Sequence, residues 1–195
     1  MPDDKFNLGI KNAVGVCMNI QGDDRVLVIT DELTEKIGNA LRNESGTTGA
    51  AAQSVNLEDL GSRPMLEVPD ELLDILKDFR PTVTFYAAAS LEGEVRMRMA
   101  LTGKIQQIYT ALDLPLPRHA HMVSITPQLI REGMTADYHE INKLTYNVLD
   151  LVEKAKEIQV TSRKGTAISA QFNSDYRWVP CHGLYHHPGD WGNLP

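Results

Sequence analysis

Three of the six histidines, His182, His186 and His187, fall within six positions of one another, together with Cys181 and Asp190. Imidazole, thiolate and carboxylate are the donors that hold divalent ions, so this run is the first place to look for metal chemistry. His182-x-x-x-His186 is the spacing that puts two imidazoles on one face of a helix. Gly183, Gly189 and Gly192 with Pro180, Pro188 and Pro195 forbid a long helix here, so the donors must ride on an irregular loop fixed by Trp178, Tyr185 and Trp191. Two expectations follow. Either His182, His186, His187 and Asp190 converge on one ion, or the run is a polar loop at a domain or subunit contact.

A second group, Arg96, Arg98, Arg118, His119 and His121, forms a local basic cluster able to hold an anion, or plainly a set of solvated element ends. Other chemistries lack their residues. Thr102-Gly103-Lys104 and Gly46-Thr47-Thr48-Gly49 each miss part of a phosphate loop, and no dinucleotide glycine fingerprint follows the first strand. Ser62, Ser124 and Cys17 have neither a nucleophile-elbow context nor an assignable base.

The elements that must position these groups alternate. Phe6, Ile10, Val14, Cys17 or Met18, and Ile20 recur at helical spacing. Val26–Ile29 is a continuous apolar run of the kind found in a parallel strand covered on both faces. Asp31 is placed to cap a helix carrying Leu33, Ile37 and Leu41 on one side. Strands are expected over 53–57, 82–88 and 121–126. Helices are expected from Pro69 to Arg80-Pro81, over 92–110 through Val95, Met99, Ile105 and Ile108, and from a Thr135 cap through Tyr138, Ile141, Leu144 and Val148. Alternation of apolar and polar positions about Lys164-Gly165 then marks a hairpin. The pattern implies an α/β fold, a doubly wound, mostly parallel sheet flanked by helices over residues 1–157. Residues 158–195 are expected to begin a second domain with its first antiparallel strands.

Bulk properties narrow the partners. A net charge of −7 with no Lys/Arg stripe argues against nucleic acid. Two cysteines exclude a disulfide framework and fit a reducing cytoplasm. No basic leader followed by an apolar run, and no long apolar stretch, implies export or a membrane span.

Arg177-Trp178-Val179-Pro180, the Gly/His-rich insert and Gly189-Asp190-Trp191-Gly192-Asn193-Leu194-Pro195 resemble the run that enters the catalytic domain of the aminopeptidase T family. Met122–Pro127 and Glu132–Thr135 extend the resemblance loosely. It implies a metallopeptidase, a hydrolase that removes N-terminal residues from peptides with two divalent ions such as zinc or cobalt, acting as a homodimer. It further implies that Trp178, Trp191 and Asn193 stand at the active-site entrance, and that the family's metal ligands and catalytic groups are expected beyond Pro195. This chain alone would then scaffold or gate, with no catalytic residue, no metal and no activity of its own. Iron-dependent dihydroxypyridine ring-opening dioxygenases resemble the same family, and the residues present do not separate the two activities. A non-catalytic module whose His-rich tail binds zinc or a partner is the third expectation.

Overall fold

The computed structural model describes residues 3–173 and 175–194. They form two compact units, Met1–Ala136 with Gly183–Pro195, and Asp137–His182. The change of rhythm at Glu157 therefore falls inside the second unit.

In the first unit, Asp3 caps α1 (Asp4–Lys11) by accepting the Phe6 N–H, and a π-helical turn over Asn12–Cys17 continues it. Then follow β1 (Arg25–Thr30), α2 (Glu35–Thr47), β2 (Ala51–Asn56), α3 (Leu57–Leu60), α4 (Asp70–Phe79), β3 (Val83–Tyr86), α5 (Val95–Ala111), β4 (Arg118–His121) and α6 (Pro127–Glu132). The second unit supplies α7 (Tyr138–Val152), β5 (Glu157–Thr161) and β6 (Ala167–Gln171). β7 (Trp191–Asn193) returns to the first unit's sheet.

The five-stranded sheet runs β2-β1-β3-β4-β7, and every pair is parallel. This is a doubly wound α/β sheet, accompanied by a separate antiparallel β5-β6 ribbon. Val26 to Ile29 are fully buried, as a strand covered on both faces requires. On one face Leu27, Ile29, Val55 and Tyr86 pack with Leu72 and Leu76 of α4 and with Met97, Leu101, Ile105 and Tyr109 of α5. Those four α5 positions recur every fourth residue, whereas Val95 and Met99, expected on the buried face, are exposed. α2 packs on β1 and β2.

The α2 approach is close. A Cβ on Gly38 would lie 2.7 Å from Thr30 Oγ1 and 2.8 Å from Thr30 Cβ. In Gly38→Ala the strain of about 1–3 kcal/mol outweighs the roughly 1 kcal/mol helix-propensity gain. A net loss of up to about 2 kcal/mol is expected in urea unfolding.

Several boundaries differ from the sequence pattern. Asp31 does not cap α2, which starts at Glu35, and Leu33 is exposed. Asp137, not Thr135, caps α7, accepting the N–H groups of His139 and Glu140 at 3.0 and 3.1 Å. The fourth strand lies at 118–121 rather than 121–126, because the chain turns through Ser124 at φ 57°. No helix among the described residues is long and apolar enough to cross a membrane.

Candidate functional site at the carboxyl ends of the strands

In an open doubly wound sheet, ligands bind beyond the carboxyl ends of the strands, where neighbouring connections leave in opposite directions. Here that point lies between β1 and β3. Asp31 follows β1, Ala89 follows β3, Glu94 precedes α5, and Arg63 arrives from the segment between α3 and α4. The Arg63 guanidinium sits 2.5 Å from Asp31 Oδ2 and grips Glu94 in a fork, Nη2 to Oε2 at 2.5 Å and Nε to Oε1 at 2.8 Å. It also donates to the Ala89 carbonyl at 2.8 Å and lies 3.3 Å from Glu58. The side chains of Asp31 and Glu94 are wholly buried and that of Arg63 nearly so.

Burial pushes the Asp31 carboxyl up, but hydrogen bonds from Thr34, Arg63 and the Ala89 N–H outweigh it and hold the group below the usual carboxylate range. Glu94 behaves alike, with burial opposed by Arg63 and the Met65 N–H. The Glu94 bond first, then Asp31, raises the Arg63 pKa further despite its burial. All three therefore stay ionised at neutral pH, and the crevice that other folds of this kind keep for a ligand is filled by a fixed ion-pair network. Its cohesion is structural.

A polar row crosses the adjacent strands. Parallel register sets Thr84 of β3 beside His119 of β4, and Tyr86 beside His121. The Thr84 hydroxyl lies 2.7 Å from His119 Nδ1, and His119 Nε2 lies 3.3 Å from His121 Nδ1. His121 stacks on Tyr86 with ring centroids 5.4 Å apart. Either tautomer of His119 satisfies both neighbours, provided His121 takes the matching one. Burial lowers the His119 pKa to about 3, with His121 adding to the effect. Burial and the Arg98 charge lower His121 as well. Both imidazoles are therefore neutral at physiological pH. The Tyr86 hydroxyl and Arg98 Nε are buried with no protein partner among the described residues. A cavity of about 260 Å³ opens beside His119, walled in part by Ile105, Leu116 and Trp191.

Neutral imidazoles suit a metal, yet the donor set here is incomplete. Asp31 and Glu94, the buried carboxylates at this end of the sheet, are consumed by Arg63. Among the described residues no three His, Cys, Asp or Glu side chains stand together as a metal-binding group.

The tail residues divide between the two units. His182 belongs to the second unit and stacks on Tyr146, with centroids 5.7 Å apart. In the first unit, His186 Nε2 lies 2.8 Å from the Val16 carbonyl oxygen. Asp190 accepts the His187 backbone N–H at 2.8 Å, closing a turn. Cys181 is exposed. Of the residues expected at an active-site entrance, Trp178 packs on Phe172 within the second unit. Trp191 and Asn193 form β7, in register with His119 and His121. Gly192 between them is required, since a Cβ there would collide with the Tyr185 ring. Pro195, which closes the Asn-Leu-Pro run, lies outside the described residues. The basic cluster divides too: Arg118 turns to Asp24 at 2.6 Å, while His121 stacks on Tyr86, His119 lies beside His121, and the Arg98 charge acts on both Tyr86 and His121.

No family model and no curated protein matches the chain. A solved structure does. It is that of a 2,5-dihydroxypyridine dioxygenase from Pseudomonas putida KT2440, at a TM-score of 0.62 and 15% identity, covering 97% of this chain and 53% of that one. The chain thus shares the dioxygenase's fold and spans about half its length. This finding corrects the aminopeptidase T resemblance, and with it the metallopeptidase and hydrolase activity it implied. Within the matched tail, His187 to Asn193 form a turn and the edge strand of the sheet.

Arg63, Glu58, Glu94, Thr84 and Tyr86 are absent from the sequence-derived candidates. Thr84 leaves a trace as a polar side chain inside an otherwise apolar strand, whereas Arg63, Glu58 and Glu94 lie in helices and connections where a charged residue is ordinary.

Proposed function

We propose that this chain is the α/β portion of a dihydroxypyridine ring-opening dioxygenase. The observation that supports this reading is the backbone likeness to the Pseudomonas enzyme along nearly the whole chain. The role of the portion is scaffolding: a rigid parallel sheet, locked at its switch point by Arg63, presents the His119–His121 face and the Trp191 edge. A non-haem iron centre of the two-histidine, one-carboxylate type needs three convergent donors. The described residues offer two imidazoles and no free carboxylate beside them, so they do not fit an iron site. The reading assigns the iron ligands to additional polypeptide in the intact gene product. Cys17 and Cys181, both unpaired, accord with a cytoplasmic setting.

The test is substrate-dependent oxygen uptake. The intact gene product, loaded with ferrous iron, is expected to consume dioxygen when 2,5-dihydroxypyridine is added, and the 195-residue chain alone is expected to consume none. Absence of uptake by the intact protein, or equal uptake by the isolated chain, overturns the reading.

A further inference from the structure

At the amino ends of the strands, opposite the switch point, the first unit holds a cleft of about 370 Å³, the size of a small-molecule site. Two kinds of wall meet in it. One is apolar, formed by Leu114, Leu116 and the ring of Tyr109, whose hydroxyl is spent on the Pro81 carbonyl. The other is cationic, formed by Arg25, Arg80 and Arg118.

The three guanidinium groups are not equivalent. Arg118 is neutralised by Asp24 and also donates to the Met18 and Asn19 carbonyls at 2.6 and 3.2 Å. Arg25 uses only Nε, donating to the Phe79 and Arg80 carbonyls at 3.0 and 2.8 Å. Arg80 likewise uses only Nε, donating to the Lys77 carbonyl at 3.2 Å. Neither Arg25 nor Arg80 makes an ion pair among the described residues, so the terminal nitrogens of both are uncommitted. Against these two charges the cleft sets one uncommitted carboxylate, Asp23, leaving it one positive charge ahead in a chain of net charge −7. Arg80 also closes α4 at φ 49°, a left-handed position where glycine is the usual residue. Non-glycine residues held in that region cluster at functional sites.

The geometry points to a binding site for a small organic carboxylate with a compact apolar body, its carboxylate on Arg25 and Arg80 and its body against Leu114 and Leu116. The guanidinium fork matches a carboxylate or a phosphate, a single excess positive charge matches a monoanion, and the apolar wall of Leu114 and Leu116 favours an anion with an organic body over inorganic phosphate. The site is distinct from the switch point and does not depend on the dioxygenase reading.

Benzoate, benzyl alcohol and inorganic phosphate, titrated separately into the full chain and followed by amide NMR, separate the contributions. Benzoate is expected to shift the Arg25, Leu114 and Leu116 amides saturably, at least about ten-fold more tightly than the neutral alcohol or phosphate. Arg80→Gln, at an exposed position, is expected to weaken benzoate at least about five-fold, and the double variant with Arg25→Gln further still. Because Arg25 caps α4, the Arg80→Gln result decides the matter should the double variant fail to fold. Non-saturating shifts, equal affinity for benzyl alcohol or phosphate, or unchanged affinity in Arg80→Gln each overturn the assignment.

Discussion

Arg63→Met is expected to destabilise the chain by about 3–5 kcal/mol, because it leaves buried carboxylates without their counter-charge. Arg63 is the shared partner of Asp31 and Glu94, both wholly buried, and of the partly exposed Glu58. Methionine matches its apolar volume but returns none of its hydrogen bonds, including that to the Ala89 carbonyl. Arg63→Lys is expected to fall between the two, since one ammonium cannot reproduce a fork on Glu94 together with bonds to Asp31 and Ala89. Urea unfolding at neutral pH measures both. A loss below about 1 kcal/mol for Arg63→Met, the range of an exposed ion pair, contradicts a locking role. The network also explains why a doubly wound sheet need not be a nucleotide site: the crevice is already filled by protein charge.

Stability is expected to fall as pH drops below about 6.5, and His119 is the main cause. Its ordinary pKa of about 6.5 applies to the unfolded chain. Burial lowers it to about 3 in the fold. Above the unfolded value neither state holds the proton, and stability does not depend on this group. Between the two values the unfolded chain binds a proton that the fold refuses, so each falling pH unit costs at most about 1.4 kcal/mol. The loss is complete only near the folded value and amounts to an upper bound of about 5 kcal/mol. His121, lowered by burial and by Arg98, acts in the same direction. Asp24, Asp31 and Glu94 are held below their ordinary range, so their stabilisation is lost only at lower pH. Urea unfolding of His119→Gln against the parent between about pH 6.5 and 4.5 isolates the effect, and the variant is expected to show the shallower slope. Equal slopes contradict a buried neutral imidazole.

Much of the architecture is legible in the residues, because burial on both faces leaves continuous apolar runs. Val26–Ile29 shows this, Val83–Tyr86 does so apart from Thr84, and Gly165 at φ 96° marks the hairpin turn. β4 is hidden because its buried residues are Arg118, His119 and Ala120, and their polarity is cancelled by partners far away in sequence, Asp24 and Thr84. β7 is hidden because three residues with a central glycine carry no periodicity. The Arg63 network joins positions about thirty residues apart, which no local spacing can announce. Conversely, the His182, His186 and His187 run is conspicuous in sequence, yet it is divided between the two units and each member has a partner of its own. His182 stacks on Tyr146, His186 turns to the Val16 carbonyl, and the His187 backbone closes a turn with Asp190.

Isotope transfer from labelled dioxygen is the most direct test of the proposed ring-opening reaction. With ferrous iron and 2,5-dihydroxypyridine, the intact gene product is expected to place both oxygen atoms of one dioxygen molecule in the ring-opened product. A product that takes its oxygen from water, or only one labelled atom from dioxygen, contradicts the account.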